Sequence, residues 1–223
     1  MNEPVVKGRS LAALMAVLGW FGVLLQFYLS IRLALTNGRT VAFGVVLYFG
    51  FFTVLTNVLV SLAATLPLLA RRSAAGRFFA RPEVIGWVAV SIVFVGVAYY
   101  VLLRHVWAPQ GWQLLADVLM HYVMPILFVL YSLIALRGTA LRWSAPFRWS
   151  LYPVAYFVYA LVRGAIIGSY PYAFINASTL GYVATLRNAL LLWVAYLVMA
   201  YVLLLIWRIG GARQSTRQNT ALR

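Results

Sequence analysis

Residues 43–70 read FGVVLYFGFFTVLTNVLVSLAATLPLLA, and Arg71 and Arg72 follow at once. The hydrocarbon core of a bilayer is about 30 Å thick, and roughly 20 apolar residues in a helix cross it. Inside it every backbone N–H and C=O needs an internal partner, so an apolar run this long is helical. Five other runs share the character: Leu11–Leu33, Val84–Leu103, Leu114–Leu136, Trp149–Ile167 and Leu186–Trp207. The fold expected is all-α, a polytopic bundle of six transmembrane helices.

Composition leads to the same place. The chain has 223 residues, of which 65% are hydrophobic and 9% charged, against about 25% charged in a soluble domain. Much of any globule this size must face water, which leaves so apolar a chain no soluble solution. The length suits one compact domain over 1–210. A polar, basic tail over 211–223 is expected to be disordered and cytoplasmic.

The net charge is +15, with 18 Lys and Arg against Glu3, Glu83 and Asp117. Charge alone would point to nucleic acid. Its placement argues against that, because the basic residues gather between the apolar runs, where they set membrane topology. Lys7, Arg9, Arg71, Arg72, Arg77, Arg81, Arg137, Arg142, Arg148, Arg208, Arg213, Arg217 and Arg223 fall on one side. Arg32, Arg39, Arg104, Arg163 and Arg187 fall on the other. The positive-inside rule then places both termini in the cytoplasm, with the bundle in the cell membrane. The first run follows Lys7 and Arg9 as a signal peptide would, but its core is too long and no small-residue cleavage site follows, so it reads as an anchor.

There is no cysteine, which excludes disulfides, thiolate chemistry and a cysteine metal site. Two histidines and three acids leave little for a metal, and no organic cofactor is indicated. No internal repeat supports an inverted-repeat transporter.

Polar side chains at membrane depth are expensive and therefore informative. Thr53, Thr56, Asn57 and Ser61 form one stripe on the second run. Such stripes commonly serve as hydrogen-bonded glue between helices. In the fourth run Asp117 and His121 stand one turn apart on one face. Pro125 follows His121 by four and deprives its carbonyl of the usual helical donor. The pair reads either as a packing device or as a functional site. Arg163 and Arg187 lie near the outer ends of the last two runs, either snorkelling to the headgroups or facing an anionic group. If the second and fourth runs touch, these residues share one outward-opening cavity. The last outer loop carries Tyr170-Pro171-Tyr172, whose turn and aromatics suit an interface or a lid.

Several motifs together resemble a known family. Phe51-Phe52-Thr53, Met120-His121-Tyr122-Val123-Met124-Pro125 and Tyr170-Pro171-Tyr172 are similar to the signature of the androgen-induced gene membrane hydrolases. The bacterial branch looks closer still, with Tyr152-Pro153 through Arg163-Gly164 matching its fifth helix. The likeness runs from the second helix to the sixth. It implies a multi-pass enzyme that cleaves fatty-acid esters of hydroxy fatty acids. It further implies Thr53 as nucleophile and His121 as base. Asp117 departs from the animal enzymes, which carry an amide or other polar residue there, and Thr56 competes with Thr53 for the threonine role.

The chemistry is coherent. A threonine hydroxyl needs an adjacent base to attack a carbonyl, and histidine titrates in the useful range. Asp117 would orient the ring in the manner of an acyl-transfer triad. Asn57 is the candidate oxyanion donor, with Arg163, Arg187 and Tyr172 as further substrate contacts. Membrane lipids and fatty-acid esters are the expected partners. Two other readings stand beside this one: a lipid or solute binder or transporter using Asp117 and His121, and a non-catalytic membrane scaffold.

Overall fold

The computed structural model describes residues 8–221, with side chains as far as Ile209. Glu3, Lys7 and the side chains of the tail expected over 211–223 lie outside it. All regular structure among the described residues is helical: α1 (Arg9–Thr36), α2 (Val41–Tyr48), α3 (Phe52–Leu69), α4 (Ala74–Phe79), α5 (Pro82–Ala98), α6 (Gly111–Val118), α7 (Met124–Ala135), α8 (Ala145–Trp149), α9 (Leu151–Ile167) and α10 (Ala177–Ala221). Six segments are long and apolar enough to span a membrane: Arg9–Thr36, Phe52–Leu69, Pro82–Leu103, Gly111–Ala135, Ala145–Ile167 and Ala177–Ile209. Each overlaps one of the six expected runs. The protein is a multi-pass membrane bundle.

The inner spans are α3 and α5. Val60, Ala64, Val88, Ala89, Val90 and Ile92 are fully buried there, with Met124 and Phe128 of α7 packed beside them. The outer spans keep apolar faces turned outward, at Val17, Leu24, Val158, Ile166 and Val198 for example. In water that much exposed aliphatic surface would drive aggregation, whereas lipid tails solvate it.

The 43–70 stretch is not one helix. α2 ends at Tyr48 and α3 begins at Phe52, with Phe49, Gly50 and Phe51 between them. A break at membrane depth is tolerated only where its backbone groups find protein partners. α9 supplies them. Tyr159 donates its hydroxyl to the Phe49 carbonyl at 3.2 Å, and Tyr156 donates to the Gly50 carbonyl at 2.9 Å. Arg163 donates from Nε and Nη2 to the Val46 carbonyl at 3.3 and 3.1 Å, and from Nη1 to the Ser169 carbonyl at 3.0 Å. Arg163 is 6% exposed. Its charge sits on the carbonyl end of α2, where the helix dipole is negative. Gly50 is required for this approach, because a Cβ there would lie 2.7 Å from Arg163 Cζ.

Two spans carry a widened, π-helical turn: Tyr99–Leu103 after α5, and Leu119–Val123 between α6 and α7. The second has a visible cause. The ring of Pro125 clashes with the carbonyl four residues back, that of His121, and an extra residue in the turn relieves the clash. The packing there is close, since a Cβ on Gly96 of α5 would lie 3.1 Å from the His121 carbonyl oxygen.

Candidate functional site

Successive spans run in opposite directions, so the start of α3, the end of α5, the start of α6 and the loop before α10 gather at the end of the bundle away from the start of α1. A cavity of about 260 Å³ lies among them. Its walls are mostly aliphatic and aromatic, with Phe94, Phe157, Leu190 and Trp193 prominent. The polar groups on it are hydroxyls: Thr53, Tyr99, Tyr156 and Tyr172. Among the described residues, none that lines it is charged.

Thr53 sits in the first turn of α3, a position created by the break at Phe49–Phe51. Its hydroxyl meets the Tyr172 hydroxyl at 3.4 Å, and its N–H donates to the same oxygen over a long 3.5 Å. Tyr172 comes from the outer loop, stacked on Phe174 with ring centroids 5.0 Å apart. Burial raises the pKa of the Tyr172 phenol, an effect the hydrogen bonds from Thr53 partly offset. The phenol therefore stays protonated at neutral pH and remains able to donate. Thr56 is fully buried and shares a 3.1 Å hydrogen bond with Tyr152. Of the two threonines, Thr53 lines the cavity and Thr56 does not.

Asp117 and His121 do form a pair. The Nδ1 atom of His121 lies 3.2 Å from Asp117 Oδ1 and 3.0 Å from the Asp117 carbonyl oxygen. The other carboxyl oxygen accepts a hydrogen bond from the Tyr99 hydroxyl at 2.7 Å. Tyr99 also stacks on the imidazole, with ring centroids 3.9 Å apart and planes 18° from parallel. This holds the ring with Nδ1 toward the acid, and among the described residues Nε2 has no hydrogen-bond partner, the arrangement a general base requires. Tyr99 carries no sequence signal that separates it from the other 13 tyrosines. Its place opposite Asp117 depends on how α5 packs against the widened turn.

The two halves of the site are adjacent but not joined. Asn57 links them through the backbone, donating from Nδ2 to the Thr53 carbonyl at 2.9 Å and to the Met120 carbonyl at 3.2 Å. Both amide hydrogens are thereby engaged, so Asn57 serves as a tie and has no donor left for an oxyanion. No hydrogen bond joins Thr53 to His121 among the described residues, and neither His121 nor Asp117 lines the cavity. Tyr99 touches both sides, with its ring against His121 and its side chain on the cavity wall. Arg163 is committed to the α2–α3 break, and Arg187 is exposed on the last span, ten residues after its start at Ala177. Neither reaches the cavity. Among the described residues no cluster of three His, Asp or Glu is placed to hold a metal ion.

No family model, no curated protein and no solved structure matches this chain.

Proposed function

We propose that the protein hydrolyses lipid esters inside the membrane, with an acyl chain in the apolar cavity and Thr53 as nucleophile. One observation carries the reading: the Thr53 hydroxyl stands on the wall of an uncharged, apolar cavity, beside a protonated phenol. The motif likeness to the androgen-induced gene hydrolases points the same way.

The roles follow from the groups present. Thr53 Oγ bonds to the ester carbonyl carbon while its proton passes to a base. The carbonyl oxygen gains the negative charge, and Tyr172 is the nearest side-chain donor to stabilise it. The carbon–oxygen bond to the alcohol then breaks, and the alcohol leaves with the proton. Water subsequently releases the acid from Thr53. His121 is the assigned base, with Nε2 available and Nδ1 held by Asp117. To act it must reach past Tyr99, so turnover requires movement of that ring.

A second reading follows from that same observation. With His121 behind Tyr99, the cavity would bind a neutral acyl lipid without cleaving it. A fluorophosphonate probe separates the two. Labelling of wild type, lost in Thr53→Ala and in His121→Ala with melting unchanged, supports the hydrolase. A well-folded wild type that neither labels nor releases acid from any ester of a chain-length series sinks it and leaves the binding protein.

A further inference from the structure

We propose that the cavity opens sideways into the hydrocarbon between α9 and α10, and that a bilayer-dissolved ester lies in it with its acyl tail leaving through this window. The inference rests on the reading of the cavity as an acyl site. Val154 of α9 and Leu190 of α10 both line the cavity. Both also stand on the outward stripes of their helices, 43% and 58% exposed. On α9 the stripe includes Leu151, Val154 and Val158, and on α10 Leu186, Leu190 and Val194, the three- and four-residue steps of one helix face. A side chain that belongs both to the cavity wall and to the lipid-facing surface marks where the one meets the other.

Protein closes the gap on either side of these two residues. Toward the loop before α10, Asn188 donates from Nδ2 to the Phe174 carbonyl at 2.9 Å. The same loop is pinned to α9, where the Tyr170 ring packs so closely that a Cβ on Gly164 would lie 2.3 Å from it. Toward the other end, Tyr196 of α10 donates to the Trp149 carbonyl of α8 at 3.4 Å, and Tyr201 donates to the Trp143 carbonyl at 3.2 Å. Asn188 and Tyr196 are eight residues apart, about 12 Å along a helix. Between these ties stand Leu190 and Trp193 on α10, with Val154 and Phe157 on the α9 wall.

The placing of the window identifies the occupant. A ligand arriving from water would have to lift the loop and break its hydrogen bonds to Arg163 and Asn188. A ligand arriving from the bilayer breaks neither. Lipid tails are as apolar as these walls, so moving a chain from hydrocarbon into the cavity gains little by itself. The gain lies at the closed end, where the Thr53 and Tyr172 hydroxyls stand together and can donate to an ester carbonyl in apolar surroundings that strengthen the bond. The site therefore selects a chain that carries a carbonyl. Its open side sets no limit on the length of the tail.

A long-chain ester with a diazirine in mid-chain tests the window on the intact protein in bilayer nanodiscs, with photoadducts mapped by mass spectrometry. Wild type should carry adducts on Phe94 and Ile175, which line the cavity and lie off the outward stripes. Unlabelled ester should compete these adducts away, and the alkane of equal length should not. Val154→Trp/Leu190→Trp fills the window and should lower them several-fold. Each single replacement should lower them in part, which guards against a misfolded double variant. Val158→Trp/Val194→Trp adds the same bulk one turn along the same stripes and should leave them unchanged. Adducts that persist in the window variants, or fall equally in the control, would overturn the window. Competition by the alkane as strong as by the ester would overturn the ester as occupant, and a wild type without adducts would overturn both. Photolabelling reads occupancy and not cleavage. Adducts in a wild type that cleaves no ester would therefore sink the hydrolase and leave the window standing.

Discussion

At the scale of single residues, the candidate site depends on the hydroxyls of Thr53, Tyr99 and Tyr172, the imidazole of His121 and the carboxyl of Asp117. The Asp117–His121 pairing is legible in the sequence, because a four-residue spacing stacks side chains on a helix. Tyr99 is not, since it reaches Asp117 from another span. Tyr99→Phe keeps the ring on His121 and removes the 2.7 Å hydrogen bond. Leaving a buried carboxyl oxygen short of a donor costs about 1–3 kcal/mol, so this variant should melt earlier in detergent than wild type. An unchanged melting curve would mean that another donor replaces the phenol. The threonine assignment has its own test. Thr53→Ser keeps the hydroxyl and should keep fluorophosphonate labelling, whereas Thr53→Val keeps the shape and should lose it. Thr56→Val should label like wild type, because Thr56 faces Tyr152. Loss of labelling there, with the fold intact, would move the nucleophile one turn along α3.

At the scale of elements, what was legible is the apolar length of each span, and what was hidden is its interruption. No charge interrupts the run 43–70, and Phe49 and Phe51 are as apolar as their neighbours, so Gly50 is the one local sign of the break at Phe49–Phe51. The break exists because α9 brings two tyrosines and an arginine to its carbonyls, and those partners lie more than 100 residues away in the chain. Arg163 was legible as a costly intramembrane charge, but its partner was not, since backbone carbonyls have no sequence signature. Arg163→Lys should destabilise the bundle by about 2–4 kcal/mol. An ammonium group is a point donor and cannot bridge the Val46 and Ser169 carbonyls as the planar fork does. Gly50→Ala, which pushes a methyl into the guanidinium, should cost a similar amount. The double variant should lose less than the sum, as contacting residues do. Strict additivity would show that Gly50 and Arg163 act independently and that the break is held by Tyr156 and Tyr159 alone.

At the scale of the whole molecule, the uneven distribution of arginine and the unequal chemistry of the two ends are one argument. The end with the break, the widened turns and the apolar cavity is poor in charge, while the end with the α3–α4 turn gathers most of the arginines. Arginine resists transfer across the bilayer, so the second end should face the cytoplasm. Six crossings then return the chain to the side on which it entered. The absence of cysteine makes this directly measurable, because any introduced cysteine is the sole thiol. Gln110→Cys, exposed just before α6, should react in intact cells with a membrane-impermeant maleimide. Ala140→Cys, exposed between α7 and α8, should react only after permeabilisation. The reverse pattern would invert the bundle, placing the cavity end on the cytoplasmic side. Reaction of both positions in intact cells would contradict a span between them, although Gly111–Ala135 is long and apolar enough to cross. Of these results, only the expected pattern places the cavity in the outer leaflet.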